Sequence, residues 1–268
     1  MEYLYHYTSV DSLKCILKNQ TIRFKPLSTL DDMEEAASAD CKAVGDFIFV
    51  SSWSAEAEEM IPMWYMYGDQ FKGVRIALPK DPFIQYHYSP EAINIPRLVV
   101  NNRNPIHTYI PLSDILHPSH FIPSFVKGSL LCEMEYSNDP ELLYPNVWGG
   151  DITFAYGKMG VAKNRYWSFQ REWRYVLHVF PFSLENWVAI MQNTSLTMSI
   201  LHNIADGIIK CPLQYYDLKL SQEAIENMRI VTGPLLSQEA EDELHSVVDD
   251  ISRSIRICKS TLFGKIRS

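Results

Sequence analysis

The feature that most constrains this chain is residues 172–180, Glu-Trp-Arg-Tyr-Val-Leu-His-Val-Phe, an aromatic and β-branched run that is its strongest strand signal. Side chains alternate across a strand, so Gln170, Glu172 and Arg174 share one face while Arg171, Trp173 and Tyr175 share the other. Three polar groups on one face of an apolar strand have two explanations. Either Glu172 is held in an internal ion pair by Arg174 or Arg23, or it lines a cleft.

The rest of the chain supplies partners for such a strand. Residues 3–8 read as a short strand; Val10, Leu13, Ile16 and Leu17 then recur at helical spacing behind Ser9, an N-cap residue. Residues 21–24 return as a strand closed by Pro26, and residues 31–37 resemble an acidic helix start. A buried-type strand follows at 47–54, a short aromatic helix at 60–67 stopped by Gly68, and a strand at 73–78 ended by Pro79. Residues 79–123, rich in Pro, Asn and His, read as an irregular insertion. Beyond it the expectations are a strand at 130–136, a helix at 152–163, a short strand at 207–209, and helices at 221–228 and from 237 to about 255, the last two forming a helical C-terminal extension from about residue 221.

Strands and helices interleave without a regular β-α-β rhythm, and neither a G-x-G-x-x-G nor a Walker-type loop is present. This favours an α+β fold over a doubly wound sheet, so a dinucleotide would not be bound in the Rossmann manner. With no repeat or linker to divide it, residues 1–268 are expected to form one domain. The composition, 47% hydrophobic and 21% charged, is that of a folded globular protein.

Five dispersed cysteines without metal-ligand spacing point to free thiols in a reducing compartment. The start lacks a basic and apolar leader, and no stretch approaches the roughly 20 apolar residues of a membrane span. A cytoplasmic location away from the membrane is therefore expected. A formal charge of -8 argues against a protein that coats nucleic acid, though not against an enzyme that modifies it through a local cationic mouth.

Three segments have side chains suited to chemistry. His6 with Thr8 stands two residues apart on one strand face, and the pair either supports an aromatic strand or offers donors and acceptors to a ribose and an amide edge. Trp64 to Tyr67 either packs inward or presents a flat, electron-rich face to a cationic ring. The third is the Gln170–Glu172–Arg174 face. His117 and His120, separated by a proline and without a third ligand, do not make a metal site. No nucleophile elbow or Cys/His pattern appears, and Glu34-Glu35 read as helix-start charges.

These residues resemble a widespread bacterial family of unknown function marked by an opening Y-H-Y-T, I-L-x-x-x-x-I/L-R-F, an N-D-P-F-E-like stretch, M-W-x-x-Y-G-x-x-x-x-G-V and a late E-W-R. Here they stand as Tyr5 to Thr8, Ile16 to Phe24, Leu30 to Glu34, Met63 to Gly68 with Gly73-Val74, and Glu172-Trp173-Arg174. Asp31 and Met33 replace the asparagine and proline of the third motif, and no catalytic role is assigned to that segment. The opening is also similar to that of toxin ADP-ribosyltransferases that modify nucleic acids, a superfamily organised by an early His or Arg, a middle aromatic or Ser element and a late Glu, often as Q-x-E.

The resemblance implies a split mixed sheet with flanking helices and a mono-ADP-ribosyltransferase that uses NAD as co-substrate, with no metal. It implies Glu172, Gln170 and His6 as catalytic residues. NAD would be bound by His6, Tyr7, Thr8, Arg23, Ser51, Ser52, Trp64 and Tyr67. Glu172 would stabilise an oxocarbenium-like transition state, an aromatic from Trp64 to Tyr67 would stack on nicotinamide, and Gln170 would face the nucleophile. The acceptor implied is a macromolecule, with RNA or DNA ahead of protein, and the setting a toxin or antiviral effector restrained by an antitoxin or inhibitor protein. An NAD glycohydrolase on the same fold and a non-catalytic nucleotide- or protein-binding module are the competing expectations.

Overall fold

In the computed structural model, which describes residues 2–92, 105–123, 130–149 and 155–267, the first quarter of the chain follows its local signals. Strand β1 (Tyr3–Thr8) leads through Ser9, whose side chain accepts from Ser12 N at 3.1 Å, into α1 (Val10–Asn19). The helix buries Leu13 and Leu17 and ends at Gln20 in the left-handed region, which turns the chain into β2 (Thr21–Pro26). Ile22, Phe24 and Pro26 are buried on β2, while Arg23 and Lys25 alternate with them on the other, exposed face. The acidic stretch forms a 3-10 turn (Met33–Ala36) capped by Asp32.

Strand β3 (Ile48–Ser54) is buried over nearly its whole length; α2 (Ile61–Met66) and β4 (Val74–Pro79) follow. Helix α2 is capped by Tyr67, and Gly68 follows because there is no room for a side chain: a Cβ there would sit 2.5 Å from the Trp64 ring. Residues 79–123 were expected to be an irregular insertion, yet the described part holds a two-stranded antiparallel ribbon, β5 (Tyr86–Tyr88) with β6 (Ile106–Thr108), and the turn of helix α3 (Leu112–Ile115). Phe83, Ile110, Ile115 and Phe121 from this segment are buried in the main core, so it is part of the fold rather than appended to it.

The expected strand at 130–136 is two short ones with different partners: β7 (Leu131–Glu133) pairs with the strand at 172–178 and β8 (Glu135–Ser137) with residues 162–164, while Met134 N, between them, bonds Glu172 O at 3.0 Å. After α4 (Pro140–Leu143), the helix expected at 152–163 is not formed over its described part: Gly160 sits at φ 72, and β9 (Ala162–Asn164) pairs in parallel with β8. Residues 152–154 of that expectation lie outside the described residues. Strand β10 (Glu172–His178) is the predicted one.

Helices α5 (Leu184–Met191) and α6 (Thr194–Ala205) come next. Residues 207–209, expected as a strand, are instead the turn that closes α6: Gly207 has φ 72, Gly207 N bonds Ile204 O and Ile208 N reaches back to Asn203 O. Strand β11 (Tyr216–Lys219), α7 (Gln222–Glu226), β12 (Arg229–Thr232), α8 (Gln238–Ile251) and β13 (Arg256–Lys259) complete the chain. The C-terminal part is therefore not a helical extension, since β12 and β13 continue the main sheet beyond β4.

Among the described residues that sheet has nine strands, in the order β11-β2-β3-β1-β4-β12-β13, with β10 on the free edge of β3 and β7 on β10. It is mixed: β12 and β13 run parallel and the other pairs are antiparallel. With helices on both sides this is an α+β architecture. One core cluster joins Leu13, Leu17, Phe24, Trp53, Ile76, Tyr175 and Leu244; a second gathers Leu27, Phe47, Ile48, Val50 and Ile204, with a small third around Tyr7, Met63 and Trp64. Among the described residues, no helix is long and apolar enough to cross a membrane.

A candidate active site at the split of the sheet

Strand β3 changes partners partway along one edge, and this opens the site. Its first half pairs with β2 through Phe49–Pro26 and Val50–Lys25, and its end pairs with β1 through Ser54–Tyr5. Between those pairs the two neighbouring strands diverge, so the Ser52 carbonyl has no ladder partner on that side. The His6 imidazole takes the place of one, with Nδ1 2.9 Å from Ser52 O. A carbonyl only accepts, so Nδ1 carries the proton and Nε2 keeps a lone pair. Burial holds the His6 pKa below its ordinary value, despite the opposing pull of this hydrogen bond, which keeps the ring neutral.

On the other edge of β3, the register Glu172–Ser54 and Arg174–Ser52 sets the polar face of β10 beside the gap. There a buried charge cluster forms. Arg174 Nε lies 2.5 Å from Glu172 Oε1, Lys163 Nζ lies 3.2 Å from Glu172 Oε2 and 2.7 Å from Glu35 Oε1, and Arg174 Nη1 contacts the other oxygen of Glu35. Two acids and two bases cancel, which is what allows four charges to share a dry interior. Burial pushes the Glu172 carboxyl up, but the Arg174 and Lys163 cations outweigh it and leave its pKa below the usual carboxylate range. Burial likewise opposes the Arg174 cation, and Glu172 and Glu35 outweigh it in turn.

A chain of neutral groups extends the cluster toward α2. Lys163 Nζ donates to Gln170 Oε1 at 2.9 Å, and Gln170 Nε2 donates to Tyr67 Oη at 2.8 Å. Ser54 Oγ donates to Gln170 O, and Glu172 N donates to Tyr136 Oη at 2.8 Å. Burial raises the Tyr67 phenol pKa well above its ordinary value and the Tyr136 phenol to about 12.

These elements enclose a cavity of about 200 Å³. It is smaller than the 300–1,000 Å³ of a typical small-molecule pocket, so it would enclose only part of a dinucleotide. Beyond the paired cluster, its charged lining comes from Lys25, Asp31 and Asp32. Asp32 is nine-tenths buried; its Oδ1 caps the 3-10 turn, while among the described residues its Oδ2 has no hydrogen-bond partner.

Of the residues singled out in the sequence, His6, Tyr7, Ser52, Tyr67, Gln170 and Glu172 line this cavity. Four others lie elsewhere. Arg23, two residues before the cavity-lining Lys25 on the same face of β2, forms a bidentate pair with Asp217 at 2.8 Å and lies over the Tyr215 ring. Trp64 is fully buried, edge-on to Tyr7, with Nε1 donating to Glu59 at 2.9 Å. Ser51 faces the opposite side of β3 and accepts from Trp53 Nε1, and Thr8 lies beyond the gap, paired with Val74. Gln170, expected to face a nucleophile, has both ends of its amide engaged inside the protein.

Sequence reasoning passed over Lys163, Glu35 and Tyr136. Glu35 follows Glu34 in an acidic run and only burial separates the two, whereas Lys163 lies where a helix was expected. The one local sign was the Gln-x-Glu-x-Arg face of β10, whose buried carboxylate needs a counterion. The chain matches no protein-family model, no curated protein and no solved structure.

Proposed function

We propose that the cavity at the sheet split receives the nicotinamide riboside end of NAD, and that the chain is a mono-ADP-ribosyltransferase acting on a macromolecule, with nucleic acid ahead of protein. One observation carries the reading. His6 on β1, Tyr67 after α2 and Glu172 on β10, far apart in the chain, line the same cavity, and they do so in the order that the resemblance to ADP-ribosyltransferases implies. In this reaction the bond between ribose C1′ and the nicotinamide nitrogen breaks, nicotinamide leaves with the electron pair, and an acceptor oxygen or nitrogen bonds to C1′ and loses its proton. The cation that develops on the ribose is favoured by the carboxylates of Glu172, Asp31 and Asp32. His6 Nε2 is available to accept from a ribose hydroxyl. Water in place of the macromolecule would make the same site an NAD glycohydrolase.

A second reading is favoured by the engagement of both Glu172 oxygens, one with Arg174 and one with Lys163. A carboxylate so held is suited to a binding module that recognises a nucleotide or protein without turnover. Incubation with labelled NAD and cell lysate, followed by nuclease or protease, separates these outcomes. Label released by nuclease supports a nucleic-acid acceptor, and label released only by protease supports a protein acceptor. Nicotinamide release without labelled product supports hydrolysis, and NAD bound but not consumed supports the binding module.

A further inference from the structure

The hydrogen-bond chain from Lys163 to Tyr67 has a polarity that can be read without seeing a proton. An ammonium only donates, so the amide atom of Gln170 that faces Lys163 at 2.9 Å is its oxygen. That assignment leaves the amide NH2 facing Tyr67 at 2.8 Å, and an NH2 group also only donates. The Tyr67 oxygen is therefore the acceptor in this bond and its single proton must point elsewhere. Among the described residues none accepts it, and Tyr67 lines the cavity. Lys163 is itself held between Glu35 and Glu172, so the chain starts from a fixed end. Burial raises the Tyr67 pKa, and the phenol keeps its proton at neutral pH.

We propose that Tyr67 binds the ligand through its hydroxyl, as an oriented donor to a carbonyl or hydroxyl oxygen of the nicotinamide riboside, and that Lys163, acting through Gln170, is the positioning residue that sets the direction of that bond. The proposal rests on the reading that the cavity takes NAD. It replaces a stacking role for the Tyr67 ring with a polar one, and it explains why a buried glutamine is kept between a lysine and a tyrosine. A ligand group at this position that can only donate would be disfavoured, since the phenol oxygen already accepts from Gln170 Nε2.

The test measures NAD binding by calorimetry at pH 8 for the unaltered protein, Tyr67→Phe, Gln170→Glu and the double variant. Losing one neutral hydrogen bond of about 1 kcal/mol predicts roughly fivefold weaker binding for Tyr67→Phe. Gln170→Glu predicts a similar loss, because a carboxylate accepts from both Lys163 and Tyr67 and draws the phenol proton away from the ligand. The double variant loses no more than either single one. Tyr67→Phe binding NAD as tightly as the unaltered protein overturns the proposal, as do losses that multiply in the double variant. Tyr67 is less buried than Gln170 and loses only its hydroxyl in Tyr67→Phe, so this arm does not depend on the folding of the buried variant.

A second measurement needs no ligand. With 13C-tyrosine labelling, the Tyr67 Cζ resonance, identified by its absence in Tyr67→Phe, should move in Gln170→Glu as the phenol becomes a donor to a carboxylate. An unmoved resonance in folded Gln170→Glu overturns the polarity itself. Absence of NAD binding by the unaltered protein, with the resonance moving as expected, instead overturns the NAD reading and the ligand named here.

Discussion

Glu35 and Lys163 form a buried ion pair, Oε1 to Nζ 2.7 Å, that ties the 3-10 turn after β2 to the short strand β9. Neither side chain is more than 6% exposed. Through this pair and Arg174, the polar face of β10 is joined to a turn from the beginning of the chain, and one wall of the cavity becomes continuous.

Removing one member of such a cluster leaves an uncompensated charge in the interior. Glu35→Leu and Lys163→Met are each expected to cost about 3–5 kcal/mol. The double variant, which restores neutrality, should cost clearly less than their sum, by at least about 1 kcal/mol. Urea unfolding of the four proteins measures this, and strict additivity would show that the charges act independently.

Acid should weaken the fold through Glu172. Its pKa is held down in the folded state by the Arg174 and Lys163 cations against the opposing effect of burial, so the unfolded chain binds the proton more readily. The stabilisation is complete above the unfolded carboxylate pKa of about 4.3 and is lost as pH falls through the lower folded value. Glu172→Gln should be less stable at pH 7 and show a shallower loss of stability below pH ~4.3. Chemical denaturation at a series of pH values from neutral to acid checks both; equal slopes would exclude Glu172 as a source of the acid sensitivity.

Arg23→Ala should leave NAD binding unchanged, because the guanidinium does not line the cavity and is held by its bidentate pair with Asp217. With Arg23 about half exposed, the stability cost is expected to stay below about 1 kcal/mol. A calorimetric loss of affinity in this variant would mean that the ligand extends outside the cavity onto β2.

Glu59 fastens the C-terminal segment to the lead-in of α2: it accepts from Thr261 N at 2.7 Å, from the Ser260 hydroxyl and from Trp64 Nε1 at 2.9 Å, while Leu262 packs on the Tyr7–Met63–Trp64 cluster. Glu59→Ala leaves these donors without their acceptor and should cost about 1–3 kcal/mol. Limited proteolysis should then cut faster within residues 256–267. Unchanged cleavage there would indicate that packing of Leu262 alone holds the segment.

Local signals sufficed where each element's own residues decide its form. The strand, helix and strand of residues 3–26 carry alternation, a serine cap and a proline stop, and the alternating polar face at Gln170, Glu172 and Arg174 follows from strand geometry alone. They failed at β11, β12 and β13, four-residue strands whose pairing comes from β2, β4 and β12 respectively rather than from their own sequence. They failed again at β9, where a helical reading of 152–163 met two glycines and a parallel partner in β8.

The sequence by itself determined the α+β class, the opening β-α-β unit and the fact that Glu172 needs either a counterion or a cleft. Only the tertiary structure decided that it has both. Periodicity reports which face a side chain occupies, but the choice between Arg174, Arg23 and Lys163 as partners depends on which strands lie next to one another. The tertiary fold settles that: β11 beside β2 pairs Arg23 with Asp217, while Lys163 on β9 and Arg174 on β10 meet between the Glu172 and Glu35 carboxylates. Coulomb attraction and the cost of burying an unpaired charge act through space, so sequence spacing carries little trace of them.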